Sequence, residues 1–139
     1  MKSQRQEIEE KTLIWVSYAD EDLSTAHVGL TLTTSIPYRI IAFHAQQCVE
    51  KYLKAYLIYH EFEFPYTHNI SLLLELCAEK GRWASELEEA KKLSIYASTL
   101  RYPNDNIKIT KNNAIKAVKI AVYVKETIRN ALMEEGLKL

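Results

Sequence analysis

The sequence contains few glycines and prolines, three of each in 139 residues. Because an all-β fold needs many turns that these residues favour, their scarcity argues against one. Two cysteines, Cys48 and Cys77, are too few for a disulfide scaffold, and both lie in apolar helical runs where buried thiols are common. Charged residues interrupt every apolar run before the roughly 18 residues that a membrane-spanning helix needs. The N-terminal segment MKSQRQEIEEK has no apolar signal region, so we expect a cytoplasmic protein.

The chain also lacks a net charge, since its 18 basic residues balance its 18 acidic ones. No global electrostatic field therefore favours nucleic acid, a membrane or an acidic substrate, and any such binding must come from a local patch. Hydrophobic residues make up 47% and charged residues 26%, which excludes a disordered chain. A chain of this length predicts one globular domain, residues 1–139.

Apolar residues recur at three- and four-residue spacing, and no segment alternates with a period of two. Pro37 suits a first helical turn, Thr110 is a candidate N-cap, and Gly81 is a stop signal. Ser85 and Glu88 have the spacing of a capping box. We therefore predict an all-α, antiparallel up-down bundle of four long or medium helices plus one short helix. The predicted helices cover about Lys11–Thr31, Pro37–Tyr59, Ile70–Lys80, Ser85–Arg101 and Lys111–Glu135.

The second predicted helix is apolar around most of its circumference but carries one polar stripe. Gln47, Glu50 and Lys54 fall within about 80° of one another on a helical wheel, with Lys51 and His44 on the flank. A helix with so wide an apolar arc belongs in an interior, so the stripe must face something other than bulk solvent. It either pairs with polar groups of another helix or lines a cleft or subunit interface.

Arg101 lies on the face that its own helix is expected to bury. A guanidinium stays charged, so it needs an acceptor, and Glu50 is the one carboxylate of the stripe. Three interpretations remain open. The pair fixes the register of the helices, Arg101 extends to solvent at the end of its helix, or Arg101 forms an anion-binding cleft with Lys51 and Lys54.

Three other residues could carry chemistry. His44 and Cys48 are four residues apart, a spacing that suits two metal ligands, but no nearby pair completes a set, so we predict no metal site. His68 is expected to bond backbone groups at a turn while its ring packs against Phe64 or Tyr66. We expect Asp22 to be a solvated or salt-bridged surface residue, and the tyrosines to serve packing more than base stacking.

Four blocks together resemble one known family, the HEPN domain (higher eukaryotes and prokaryotes nucleotide-binding). The resemblance extends from about Leu13 to Leu132, and its most specific part is the long block in the second predicted helix. In chain order the blocks are Asp22-Leu23, AFHAQQCVEKYLKAYL (Ala42 to Leu57), His68 ahead of a leucine-rich helix, and LRYP (Leu100 to Pro103).

The resemblance implies a homodimeric helical bundle in which the polar stripe and the arginine converge near the dimer cleft. It also implies a nucleotide or RNA ligand and a minimal nucleotidyltransferase as partner, in a toxin–antitoxin-like module. No cofactor, metal or membrane is expected. The ligand-binding residues predicted on this basis are Gln47, Glu50, Lys51, Lys54, Arg101 and Tyr102.

Catalytic members of the superfamily are metal-independent ribonucleases in which four to six residues separate an arginine from a following histidine. Here the corresponding positions hold Asn106, Ile107 and Lys108, none of which titrates near neutral pH. We therefore expect a binding protein with no catalytic residues. Two alternatives remain: a ribonuclease that uses His44 or His68, and a purely structural scaffolding partner.

Overall fold

A computed structural model of the chain describes residues 1–99 and 108–139. Every regular element in these two ranges is helical, which confirms the predicted all-α bundle. Among these residues, no helix combines the length and the apolar character that crossing a bilayer demands. The elements are α1 (Gln4–Leu30), α2 (Tyr38–Tyr59), α3 (Ile70–Cys77), a 3₁₀ segment (Arg82–Ser94), α4 (Ile95–Thr99) and α5 (Lys111–Glu134).

Helix α2 is the centre of the bundle. Fourteen of its 22 residues are buried, and it packs against α1, α3, α4, α5 and the 3₁₀ segment. Helix α1 runs antiparallel to it, and Gly29 of α1 packs closely against Ile41 of α2. A Cβ atom added to Gly29 would lie 2.6 Å from Cγ1 of Ile41, so only glycine permits this contact. The central position of α2 places its polar residues among other helices instead of in solvent.

The predicted boundaries of α2 and α5 are confirmed to within one residue. Helix α5 begins at the predicted N-cap, because the Thr110 hydroxyl accepts a hydrogen bond from the backbone N–H of Asn113. Helix α3 ends at Cys77, short of Lys80, and the Gly81 N–H donates to the Cys77 carbonyl at 2.8 Å. The thiols of Cys48 and Cys77 are free and buried as predicted, and burial raises the pKa of both.

Two predictions about helix ends are wrong. Helix α1 begins at Gln4, well before Lys11, because Ser3 and Gln6 form a capping box ahead of two turns that lack apolar periodicity. Ser85 caps no helix, since its hydroxyl donates to the Arg82 carbonyl at 3.4 Å inside the 3₁₀ segment.

The 3₁₀ segment replaces most of the predicted fourth helix and bends at Leu87 (φ −106°, ψ 24°). Its buried residues are spaced by three along the chain, which matches the three residues per turn of a 3₁₀ helix. An α-helix would rotate such a series away from the core. The four residues are Ala84, Leu87, Ala90 and Leu93.

Candidate functional site

The polar stripe of α2 lies largely inside the protein. Glu50 and Lys54 are only 2% and 5% exposed, whereas Gln47 and Lys51 are half-buried. Arg101 and Tyr102 lie outside the described residues, so the predicted pairing of Glu50 with Arg101 stays a prediction. The buried charges need partners, and two clusters supply them.

The first cluster, called the Glu50 cluster here, consists of Glu50, Lys54 and His68. His68 Nδ1 lies 2.7 Å from Glu50 Oε1, and Lys54 Nζ lies 3.6 Å from Glu50 Oε2. The His68 ring also meets the Tyr66 ring edge-on at 5.5 Å, as predicted, but the bond to the Glu50 side chain was not predicted. This bond fastens the loop before α3 onto the middle of α2.

Aromatic rings from two separate parts of the chain surround the Lys54 ammonium. The ring centroids of Trp15, Phe64 and Tyr66 lie 5.7, 5.9 and 5.8 Å from Nζ, within the range of a cation–π interaction. Among the described residues, Lys54 Nζ donates no hydrogen bond, and the nearest carboxylate oxygen, Glu50 Oε2, lies 3.6 Å away. An ammonium carries three N–H donors, so Nζ can donate hydrogen bonds to a ligand.

The second cluster, called the Asp22 cluster here, joins α1 to α2. Asp22 Oδ1 lies 2.8 Å from His44 Nδ1, and Oδ2 lies 2.5 Å from Lys51 Nζ. Asp22 is salt-bridged, as one of the two predicted alternatives had it, but it is 9% exposed and therefore not a surface residue. The antiparallel packing of α1 and α2 places this carboxylate opposite two polar side chains that are two turns apart.

Gln46 is bonded to Gln47 of the polar stripe, although Gln46 was not predicted to belong to the stripe. Its side chain is fully buried, and its Oε1 accepts a hydrogen bond from Gln47 Nε2 at 2.7 Å. Its own Nε2 is buried and has no hydrogen-bond partner among the described residues. Unpaired buried amide groups are rare and costly in native proteins. Its position on the apolar arc of α2 hid it from the sequence pattern.

A third polar group, centred on Asp20, joins α1, α2 and α5. The Tyr52 hydroxyl donates to Asp20, which also contacts Lys125 Nζ at 3.2 Å and Arg129 Nη1 at 3.5 Å. Burial, followed by the hydrogen bond to Asp20, raises the pKa of Tyr52 well above its usual range. The hydroxyl therefore stays protonated and remains a donor at neutral pH.

In both the Glu50 cluster and the Asp22 cluster, one carboxylate contacts a histidine and a lysine. Imidazoles change charge in the neutral range, and ammonium groups bind anionic oxygens. Within residues 1–99 and 108–139, no three His, Cys, Asp or Glu side chains are grouped so that they could hold a metal ion. The arrangement suits binding of a phosphate group or proton transfer.

The chain matches the model of a known protein family. Residues 12–131 match the family model described as HEPN domain, which is most of the chain. Comparisons with curated proteins and with solved structures found no match.

Proposed function

We propose that this chain, which belongs to the HEPN family, is a non-catalytic homodimer that binds a nucleotide-like ligand. The superfamily to which this family belongs contains nucleotide-binding and ribonuclease-like domains. The proposed site is the Glu50 cluster with its aromatic rings. HEPN domains often dimerise, and the resemblance assigns the cleft between subunits to the stripe of α2. The absence of a histidine at the ribonuclease spacing after Arg101 supports a binding role.

The observation that carries this proposal is the buried Lys54 ammonium. A phosphate oxygen would accept the hydrogen bonds that no described residue accepts, and such charge-assisted bonds are about twice as strong as neutral ones. The Tyr66 ring beside it is 87% exposed, so a nucleobase has a face on which to stack. Lys54 would thus bind the phosphate of a nucleotide, and Tyr66 beside it would stack on the base.

The remaining residues assigned to the ligand are Gln47, Lys51, Arg101 and Tyr102. Lys51 is bonded to Asp22, which leaves it a rim position with a quarter of its side chain exposed. Arg101 would add a bidentate phosphate contact, and Tyr102 a second stacking surface. These four assignments rest on the family resemblance and on the position of the stripe.

We expect Lys54→Met and Tyr66→Ala each to weaken the binding of ATP by about tenfold or more, because each removes one recognition element. Isothermal titration calorimetry measures the loss, and circular dichroism confirms that the variants are helical. Tyr66 is nearly fully exposed, so its replacement does not threaten folding. Tyr123→Ala, at a half-exposed tyrosine of α5, is the matched control and should bind like the wild type.

Arg101→Ala tests the contribution that the resemblance assigns to that residue, with the same assay. Unchanged ATP binding in the Lys54, Tyr66 and Arg101 variants would reject the assignment of the site. A wild-type protein that binds neither ATP nor GTP nor inorganic phosphate would favour the scaffolding alternative instead. The proposed minimal nucleotidyltransferase partner is tested separately, by reading the adjacent open reading frame and purifying the two proteins together.

A second function, a metal-independent ribonuclease, is favoured by one specific observation. His44 and His68 each contact a carboxylate that also contacts a lysine. In such an arrangement the imidazole can act as a general acid or base, and the ammonium can stabilise the negative charge that develops in the transition state. If the protein cleaves RNA, cleavage should survive EDTA and fall by about 100-fold or more in His44→Asn or His68→Asn. A dimer that is inactive on single-stranded and transfer RNA would exclude this function.

A further inference from the structure

A groove runs between the 3₁₀ segment and α5. It consists of two cavities of about 430 and 220 Å³, which adjoin because Glu89, Lys119 and Ile120 line both. Along α5 the lining extends from Asn113 to Val124, or about 16 Å at 1.5 Å per residue. This length corresponds to about three turns of a helix lying in the groove.

The floor of the groove is apolar. Leu87, Ala90, Leu93 and Val124 form it and are themselves buried. On the α5 side of the groove, the larger side chain of Tyr123 is 48% exposed. An apolar floor with a half-exposed tyrosine beside it is typical of grooves that receive the apolar side chains of a helix.

The two rims differ in net charge. Lys116 and Lys119 are exposed on the α5 rim, and neither has an acidic partner within 4 Å among the described residues. The rim formed by the 3₁₀ segment carries Glu86, Glu89 and Lys92, all exposed, and Glu89 is paired with Lys92 at 2.8 Å. The α5 rim therefore presents the larger unpaired charge, and it is positive.

We infer that this groove docks an amphipathic helix of a partner protein, with its apolar stripe on the floor and acidic residues along the flank that faces α5. The acidic residues are assigned to this flank because their charge would complement that of Lys116 and Lys119. A nucleic acid is a poorer fit, because the unpaired charge on the opposite rim is that of Glu86, which would repel phosphates. The inference does not depend on the proposed nucleotide site, since none of these residues belongs to it.

The test uses a fluorescent peptide of about 18 residues with leucines at positions i, i+4 and i+7 of each repeat, glutamates on one flank and glutamines on the other. Fluorescence anisotropy should give a dissociation constant in the micromolar range for the full-length protein. Lys116→Glu/Lys119→Glu should weaken binding by about tenfold, and rising salt should reduce this difference. Tyr123→Ser should also weaken binding, through lost apolar contact.

The matched control is Lys108→Glu/Lys111→Glu, which makes the same change in charge at two exposed lysines that do not line the groove. It should leave binding within about twofold of the wild type. Equal losses in both double variants, or no measurable binding to the wild type, would overturn the inference. So would displacement of the peptide by a uridine oligonucleotide, or a dimer that dissociates in Lys116→Glu/Lys119→Glu, since the groove would then receive RNA or a second copy.

Discussion

Replacing Glu50 with alanine is expected to lower the free energy of unfolding by about 3–5 kcal/mol. The carboxylate is 2% exposed and is the acidic partner of both Lys54 and His68. Its removal leaves a buried ammonium without its counter-charge, a situation far costlier than the loss of an exposed ion pair. Urea denaturation followed by circular dichroism, with linear extrapolation to water, measures the change.

The matched control for this prediction is Glu89→Ala. The ion pair of Glu89 with Lys92 is also local, at i,i+3 where Glu50 and Lys54 are at i,i+4, but both of its side chains are about 70% exposed. Its loss should therefore cost less than about 1 kcal/mol. Replacing Glu50 and Lys54 together by methionine should recover much of the stability that Glu50→Ala loses. If Glu50→Ala costs no more than Glu89→Ala, the buried cluster is not a structural element of the fold.

Tyr52→Ala is expected to cost about 3–5 kcal/mol of unfolding free energy, because it empties a fully buried aromatic site in the middle of the bundle. Tyr52→Phe keeps the ring and removes only the hydrogen bond to Asp20, so it should cost about 1.5–3 kcal/mol. Asp20 retains Lys125 and Arg129 in both variants. The difference between the two variants separates packing from hydrogen bonding.

The free-energy cost of Tyr52→Phe, relative to the wild type, depends on pH with a definite sign. Because the folded protein raises the pKa of Tyr52, the hydroxyl stabilises the fold fully at neutral pH, below the ordinary tyrosine pKa of about 10. The stabilisation is lost as the pH rises above that value, where the unfolded chain ionises first. Tyr18→Phe, at a half-exposed tyrosine of α1, should leave the free energy of unfolding unchanged over the same range of pH. An equal effect of Tyr18→Phe and Tyr52→Phe would contradict the role of Asp20.

The sequence predicted the fold well wherever local signals and burial agree. The starts of α2 and α5 follow from Pro37 and Thr110, together with long apolar series. The start of α1 was missed because charged turns there have no core-facing periodicity, although the Ser3 capping box was readable. The 3₁₀ segment was missed because the sequence there also contains a series with three- and four-residue spacing, which was interpreted as one face of an α-helix, whereas the residues that are buried are spaced by three.

The candidate site was predictable only in part. The width of the apolar arc on α2 predicted that Glu50 and Lys54 lie inside, and both are buried. Their partners come from distant parts of the chain, such as His68 and Trp15, and periodicity along one helix carries no information about such contacts. Only tertiary packing brings these side chains together.

The position of Trp15 beside the Lys54 ammonium has a practical consequence. The chain has only one other tryptophan, Trp83, which packs against Tyr56. An anion that reaches Lys54 changes the electric field at the Trp15 indole, and hence its emission. In a Trp83→Phe background, the intrinsic fluorescence of the protein therefore becomes a direct optical readout of occupancy.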